Sequence, residues 1–215
     1  MKNTTILLIR HGETAWNAVR RLQGHIDIPL NEEGVRQAEA LAQSLANEPL
    51  NAVIASDLQR AMQTADAVAG HHGLTVHTDQ MLRERCYGVF EGMLYAEISQ
   101  TYPAEYAAWQ ARDVDAVMPP GERVAESFRQ FYQRSIDGIA RWAVRHPGQT
   151  IVIVAHGGVL ECAFRAATGR SLDSPRDFEV RNASINRFTY ADGKLALDNW
   201  GEVDHLRLAT LDDII

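Results

Sequence analysis

The sequence predicts an α/β protein, a three-layer α/β/α sandwich around a mostly parallel sheet with an antiparallel edge strand, and three observations carry that expectation. Short apolar runs at 6–9, 53–55 and 151–155 alternate with longer stretches of helical periodicity, the pattern of strands buried on both faces and joined by crossover helices. Each run ends abruptly in polar residues: Arg10-His11-Gly12-Glu13-Thr14, Ser56-Asp57-Leu58 with Arg60 one turn into a helix, and His156-Gly157-Gly158. Late in the chain, Ser184-Ile185-Asn186-Arg187-Phe188-Thr189-Tyr190 alternates as a strand does, and Ala191-Asp192-Gly193-Lys194 turns it into Leu195-Ala196-Leu197 as a hairpin.

The elements between follow from local chemistry. Asn31 with Glu32 and Glu33 starts a helix, the side chain capping free amides and the acids complementing the positive helix end. Val35, Ala38, Ala42 and Leu45 form its apolar face. A second helix is expected over 58–68, stopped by Gly70-His71-His72-Gly73, with a short strand at 74–77. His71 and His72 have no carboxylate or cysteine at ligand spacing and read as a solvated helix end. The longest helix is expected over 122–145, with Val124, Phe128, Phe131, Ser135, Ile139 and Trp142 as a core stripe and Pro147-Gly148 as its stop. Another helix covers 159–168. Residues 86–120 break the alternation. Tyr95, Tyr102, Tyr106 and Trp109 on short helical pieces, closed by Met118-Pro119-Pro120-Gly121, describe an insertion over the carboxyl edge of the sheet, its aromatics either packing it down or facing a ligand.

The 215 residues, 46% hydrophobic, suit a single domain over 1–215 with 86–120 as its insertion. A net charge of −7 lacks the broad basic face of a non-specific nucleic-acid binder, and an acidic exterior around local arginines suits a small anionic substrate. The apolar stretch before Arg10 is too short for a signal-peptide core or a bilayer span. Cys86 and Cys162, far apart and without metal-ligand spacing, fit a reduced cytoplasmic setting. No nucleic acid and no membrane are expected as partners.

An open α/β sheet leaves a crevice at the carboxyl ends of its strands, and here three strand ends deliver two histidines and two arginines. A lone Arg-His-Gly is common by chance, and a single histidine after a strand is more often a polar cap than a catalyst; the coincidence of all three changes that. Together with Trp16-Asn17, Gln23-Gly24, Asp27, Pro29-Leu30, Gly34, Gln37-Ala38, Gln63-Thr64-Ala65, Leu82-Arg83-Glu84, Gly88 and Glu91-Gly92 in this order, the chain resembles the histidine phosphatase superfamily, its phosphoglycerate-mutase-like branch in particular. The three-layer fold is what that resemblance also implies.

Arg10 and Arg60 suit a phosphate because a planar guanidinium grips two oxygens at once. Neutral imidazole is a competent nucleophile, and the resemblance implies a phosphohistidine intermediate on His11. His156 is expected to donate to a phosphoryl oxygen, cationic if paired with the dianion. Glu84 is expected to protonate the leaving alkoxide, its pKa raised by an apolar, partly closed environment, the competing role being a salt bridge to Arg83 or Arg85. Asn17, Gln23, Gly24, Arg85, Tyr87 and Gly157 are substrate or phosphate contacts by resemblance, and Glu13 is expected to brace the arginines. No metal and no cofactor are expected; the partner is a small phosphorylated substrate, and a homodimer is a family-level expectation.

Two activities share the first half-reaction. Water attacking the phosphohistidine gives a phosphatase; a retained phospho-acid gives a phosphoglycerate mutase, which needs further cations for a doubly phosphorylated intermediate. Between Cys86 and Pro120 the chain has only Arg112 and no lysine, against Glu91, Glu97, Glu105, Asp113 and Asp115. Gly158 also stands where the mutases usually carry asparagine, although Glu84-Arg85-Cys86-Tyr87-Gly88 is close to their version of that motif. The phosphatase reading is therefore preferred over the mutase. A non-catalytic phospho-ligand regulator would be expected to have lost one of Arg10, His11, Arg60, Glu84 or His156, and none is lost.

Overall fold

The computed structural model describes residues 2–208. In chain order these form β1 (Thr4–Arg10), α1 (Ala15–Ala18), α2 (Glu32–Leu45), β2 (Ala52–Ala55), α3 (Gln59–His72), β3 (Val76–Thr78), α4 (Tyr95–Thr101), α5 (Pro103–Gln110), α6 (Phe128–Arg145), β4 (Thr150–Ala155), α7 (Gly157–Thr168), β5 (Ile185–Ala191), β6 (Lys194–Glu202) and α8 (Asp204–Leu208). One six-stranded sheet has the order β3-β2-β4-β1-β5-β6. The strands β3, β2, β4 and β1 run parallel, and β5 is antiparallel to both β1 and the edge strand β6.

Side chains alternate across a strand, and both faces are covered. Ile6, Leu8, Ile151 and Ile153 pack with α6 and α7 on one side, and Leu7, Ile9, Val152 and Val154 with α2 and α3 on the other. This is why the two central strands read as unbroken apolar runs. The register pairs Ala55 with Val154 and Arg10 with Ala155, so β2, β4 and β1 finish side by side. The insertion has a small core of its own, with Phe90, Ile98 and Met118 packed against Leu22 and Ala125.

Several local expectations need correction. The longest helix begins at Phe128, not 122: Ser127 is its N-cap, exchanging hydrogen bonds with Gln130 as a capping box, a device worth about 1 kcal/mol. Val124 accordingly lies outside the helix and is 80% exposed. The helix expected over 58–68 continues to His72 as α3, because Gly73, at φ 63°, supplies the left-handed cap one turn later. On α2, Leu41 rather than the exposed Val35 completes the buried face. The strand expected at 74–77 is the shorter and later β3. His71 contacts Glu39 at the end of α3, as a solvated helix end allows.

Candidate active site

Because β1, β2 and β4 end together, their loops meet in one place. His11 leaves β1 buried, and its Nδ1 donates to the Gly12 carbonyl at 2.7 Å. A carbonyl only accepts, so Nδ1 carries the proton and Nε2 keeps its lone pair. Burial, then the positive charges of Arg60 and Arg10, hold the His11 pKa well below the usual histidine value of 6.5, so the ring is neutral. The backbone around it is fixed as well: the Gly12 amide donates to Thr64 Oγ1 at 3.0 Å, and Asn182 Nδ2 donates to the His11 carbonyl at 2.9 Å.

His156, the N-cap of α7, faces His11 with ring centroids 5.2 Å apart. Both of its ring nitrogens are buried and have no hydrogen-bond partner among the described residues. Burial and the charge of Arg60 push its pKa well below 6.5 too, so without a ligand the imidazole is neutral.

Arg60 is buried and Arg10 half-buried, and among the described residues neither has a carboxylate in hydrogen-bond contact. Arg60 donates to the carbonyls of Gly24 at 2.8 Å and Ile26 at 3.0 Å, and burial lowers its pKa to about 10. Arg10 donates to the Val180 carbonyl at 2.6 Å, and burial also depresses its pKa. The Nε of each is buried and unpaired. Two desolvated cations beside neutral histidines make a strong site for a dianion.

Glu84 lies across the same cavity, and its surroundings differ from the expected apolar niche. Oε1 accepts the Arg85 amide at 2.8 Å and Oε2 accepts the Gly158 amide at 3.0 Å. It pairs with neither neighbouring arginine: Arg83 is bound to Asp57 through two bonds of 2.6 Å, and Arg85 donates to the carbonyls of Glu126 and Ala116. Glu13 does not brace the arginines; its carboxylate accepts from Asn31.

The cavity encloses about 240 Å³ and is lined by the expected Asn17, Gln23, Gly24, Arg85, Tyr87 and Gly157, together with Arg10, His11, Arg60 and Glu84. The Asn17 carbonyl oxygen is occupied by Thr14, which leaves its amide nitrogen as the donor for a ligand. Gln23 Oε1 is buried and unpaired. Of the insertion aromatics, Tyr95 and Trp109 reach the cavity, while Tyr102 and Tyr106 pack into the insertion's own core. Cys86 and Cys162 are both free and buried.

Sequence reading missed the groups that hold this constellation. Arg134 of α6 donates to the carbonyls of Met81 at 2.8 Å, Arg83 at 3.0 Å and Glu84 at 3.2 Å, and is clamped by the Glu126 carboxylate at 2.7 Å. His25 Nε2 donates to the same Glu84 carbonyl at 2.7 Å. The loop that braces Arg60 through Gly24 and Ile26 therefore also braces Glu84.

A side chain at Gly158 would push on Glu84 and Phe131. Its Cβ would lie 2.2 Å from Glu84 Oε1 and 2.8 Å from the Phe131 ring. Gly158→Asn, the residue the mutases usually carry there, is expected to displace Glu84 and reduce kcat at least about tenfold. Steady-state kinetics on a thermally stable Gly158→Asn protein check this; undiminished kcat would show that Glu84 need not be where it stands.

A pair of neutral imidazoles between two buried guanidiniums, with a hydrogen-bonded carboxylate opposite, makes this a phosphoryl-transfer site of the histidine type on a doubly covered α/β sheet. The histidine phosphatase superfamily (branch 1) matches residues 6–203. The chain belongs to that family. It is 40% identical over 205 residues to phosphoglycerate mutase-like protein 4 of Arabidopsis thaliana, covering 94% of this chain and 86% of the relative. It is 37% identical over 210 residues to the metal-independent phosphoserine phosphatase of the same plant, covering 94% and 83%. Among solved structures, the phosphoserine phosphatase of Entamoeba histolytica in complex with 3-phosphoglyceric acid superposes with a TM-score of 0.83 at 26% identity, over 94% of this chain and 99% of the other.

Proposed function

We propose that His11 Nε2 attacks a phosphate monoester held by Arg10 and Arg60, forming a phosphohistidine that water then hydrolyses. The chain is a phosphoric monoester hydrolase of the histidine phosphatase type, and its substrate on this reading is a small organic phosphate. The observation that carries the reading is the neutral, Nδ1-tethered His11 beside two arginines that, among the described residues, are hydrogen-bonded to carbonyls and to no carboxylate. A loose transition state spreads charge over the equatorial oxygens, which the fixed guanidiniums and the His156 N–H stabilise without reorganising. Glu84 gives a proton to the leaving alkoxide and takes one from the attacking water. Asn17, Gln23 and the Gly24 and Gly157 backbone surround the phosphoryl group, while Arg85 and Tyr87 meet the organic body. The two arginines do the neutralising that a metal does elsewhere, and the histidine N–H adds a hydrogen bond.

The mutase reading is not favoured. The only insertion arginine after Arg85, Arg112, is bound to Glu161, and any side chain at Gly158 would have to displace Glu84. We place residues 1–215 in one domain acting in the cytoplasm, with a homodimer as the assembly to test; among the described residues no helix is long and apolar enough to cross a membrane. The decisive experiment is a phosphate-release screen over a monoester panel in excess chelator, beside an assay for 3- to 2-phosphoglycerate conversion with and without the bisphosphate. Phosphate release that survives chelation is expected. Isomerisation with little release would reverse the assignment.

A further inference from the structure

His11 is oriented by a bond to a glycine carbonyl, and glycine has the freest backbone of any residue. Position 12 admits nothing larger, because a Cβ there would lie 2.5 Å from the Gly34 carbonyl oxygen. The tether is therefore only as firm as the two peptide units that flank Gly12. Both are held by side chains from elsewhere in the fold. In the unit after Gly12, the Glu13 amide donates to Gln37 Oε1 of α2 at 2.9 Å. In the unit before it, Thr64 of α3 takes the Gly12 amide, and the His11 carbonyl receives Asn182 Nδ2 at 2.9 Å from 171 residues away in sequence.

Asn182 belongs to a strained turn just before β5. Ala183 is fully buried at φ 53°, in the left-handed region that a Cβ disfavours. In that conformation the Ala183 amide meets the carbonyls of Arg10 at 3.0 Å and His11 at 3.3 Å. The Ala183 carbonyl in turn accepts from His205 of α8 at 3.1 Å, so the turn is anchored from behind. Asn182 Nδ2 also lies 3.4 Å from Asn17 Oδ1, the oxygen that already accepts from Thr14. One amide group thus spans the main chain of the nucleophile and the side chain whose own NH2 is left for the phosphate.

We propose that Asn182 is a positioning residue for phosphoryl transfer: its amide fixes the His11–Gly12 peptide, and with it the direction of the His11 Nε2 lone pair, and holds Asn17 with its NH2 toward the phosphoryl group. The proposal rests on the hydrolase reading above. Asn182 does not itself line the cavity. Its effect therefore belongs to the rate of the first chemical step and not to the grip on the anion, which Arg10 and Arg60 supply. A misplacement of about 1 Å at the reacting atoms costs about a hundredfold in rate. The peptide would keep Thr64 and the Ala183 amide, which bounds the loss from Asn182 alone at about that figure.

Asn182→Leu preserves the shape of the side chain without its donor, and Asn182→Ala removes both. Single-turnover labelling by p-nitrophenyl phosphate, whose leaving group needs no proton, reads the attack of His11. In each variant the labelling rate constant is expected to fall about 10- to 100-fold, while affinity for inorganic phosphate, measured by calorimetry, changes by less than about threefold. A side chain that served stability alone would lower the thermal midpoint and the labelled amplitude but leave the rate constant of the folded molecules at the parent's value. That result in Asn182→Leu would overturn the proposal. So would a loss confined to phosphate affinity, which would make Asn182 part of the anion grip. If the parent is not labelled and releases no phosphate, the hydrolase reading fails on its own. The ring nitrogen NMR signals of His11 in ligand-free parent and Asn182→Leu protein then decide the turn: a single Nδ1–H tautomer giving way to a mixture supports it, and the same tautomer in both overturns it.

Discussion

Replacing His11 by alanine should abolish acid-labile labelling of the protein by a phosphodonor and reduce turnover by at least about 10⁴-fold, because the variant retains the phosphate grip but has no atom to accept phosphorus. Arg10 and Arg60 depend for their positions on the carbonyls of Val180, Gly24 and Ile26 and not on the imidazole, so substrate affinity should fall far less than kcat. The parent's pH profile reports on the same ring. The nucleophile is active when neutral, and burial with two adjacent cations depresses its folded pKa below 6.5. As pH falls, the unprotonated ring therefore survives past the point where an ordinary histidine would be half protonated, and activity is lost only as pH drops through the lowered value. Labelling that persists in His11→Ala would remove the nucleophile from the mechanism, and an acid limb centred at or above 6.5 that disappears with His11 would show the ring to be solvated.

Glu84→Gln should still label but turn over about 10²–10⁴-fold more slowly on alkyl phosphates. The loss has two sources that one experiment separates. The amides of Arg85 and Gly158 each donate to a different carboxylate oxygen, and glutamine can accept only one of them, so some displacement accompanies the loss of the proton. A p-nitrophenolate leaving group needs no protonation. If Glu84 is the acid, the labelling step of Glu84→Gln should be nearly normal with p-nitrophenyl phosphate and strongly impaired with an alkyl ester. Equal impairment with both would make Glu84 a positioning residue.

The chemistry-bearing residues were legible because they sit at strand ends, where an apolar run breaks into polar residues and the alternation of elements fixes which ends meet. His11, His156 and Arg60 converge for that reason: β1, β4 and β2 are adjacent and parallel. Arg134 and His25 were illegible because their work is done on main-chain carbonyls, which carry no sequence signature, across 50 and 59 residues. Val124 fits a helical period yet lies outside the helix, since the capping box at Ser127 and Gln130 outweighs one more apolar position. The cations near the phosphate site are not confined to the insertion: Arg21 and Arg176 arrive from the turn after α1 and the loop after α7, segments with no spacing that links them to the strand ends. Tyr102 and Tyr106 show the converse, aromatics whose place among cavity neighbours does not bring them to the cavity.

The two ends of the segment that covers the crevice are joined to each other. The Glu126 amide donates to the Cys86 carbonyl at 3.0 Å, and the Glu126 carboxylate receives the Cys86 amide at 3.0 Å while also clamping Arg134. The segment from 87 to 125 thus departs from and returns to one point, just beyond the carbonyls that Arg134 holds. The excursion is also tied near its start, where Glu91 accepts the His25 amide and the Gly92 amide donates to the Leu22 carbonyl. The stretch beyond Leu94 is therefore the part that can change length and side chains with least pull on Glu84, and with it what the enzyme accepts.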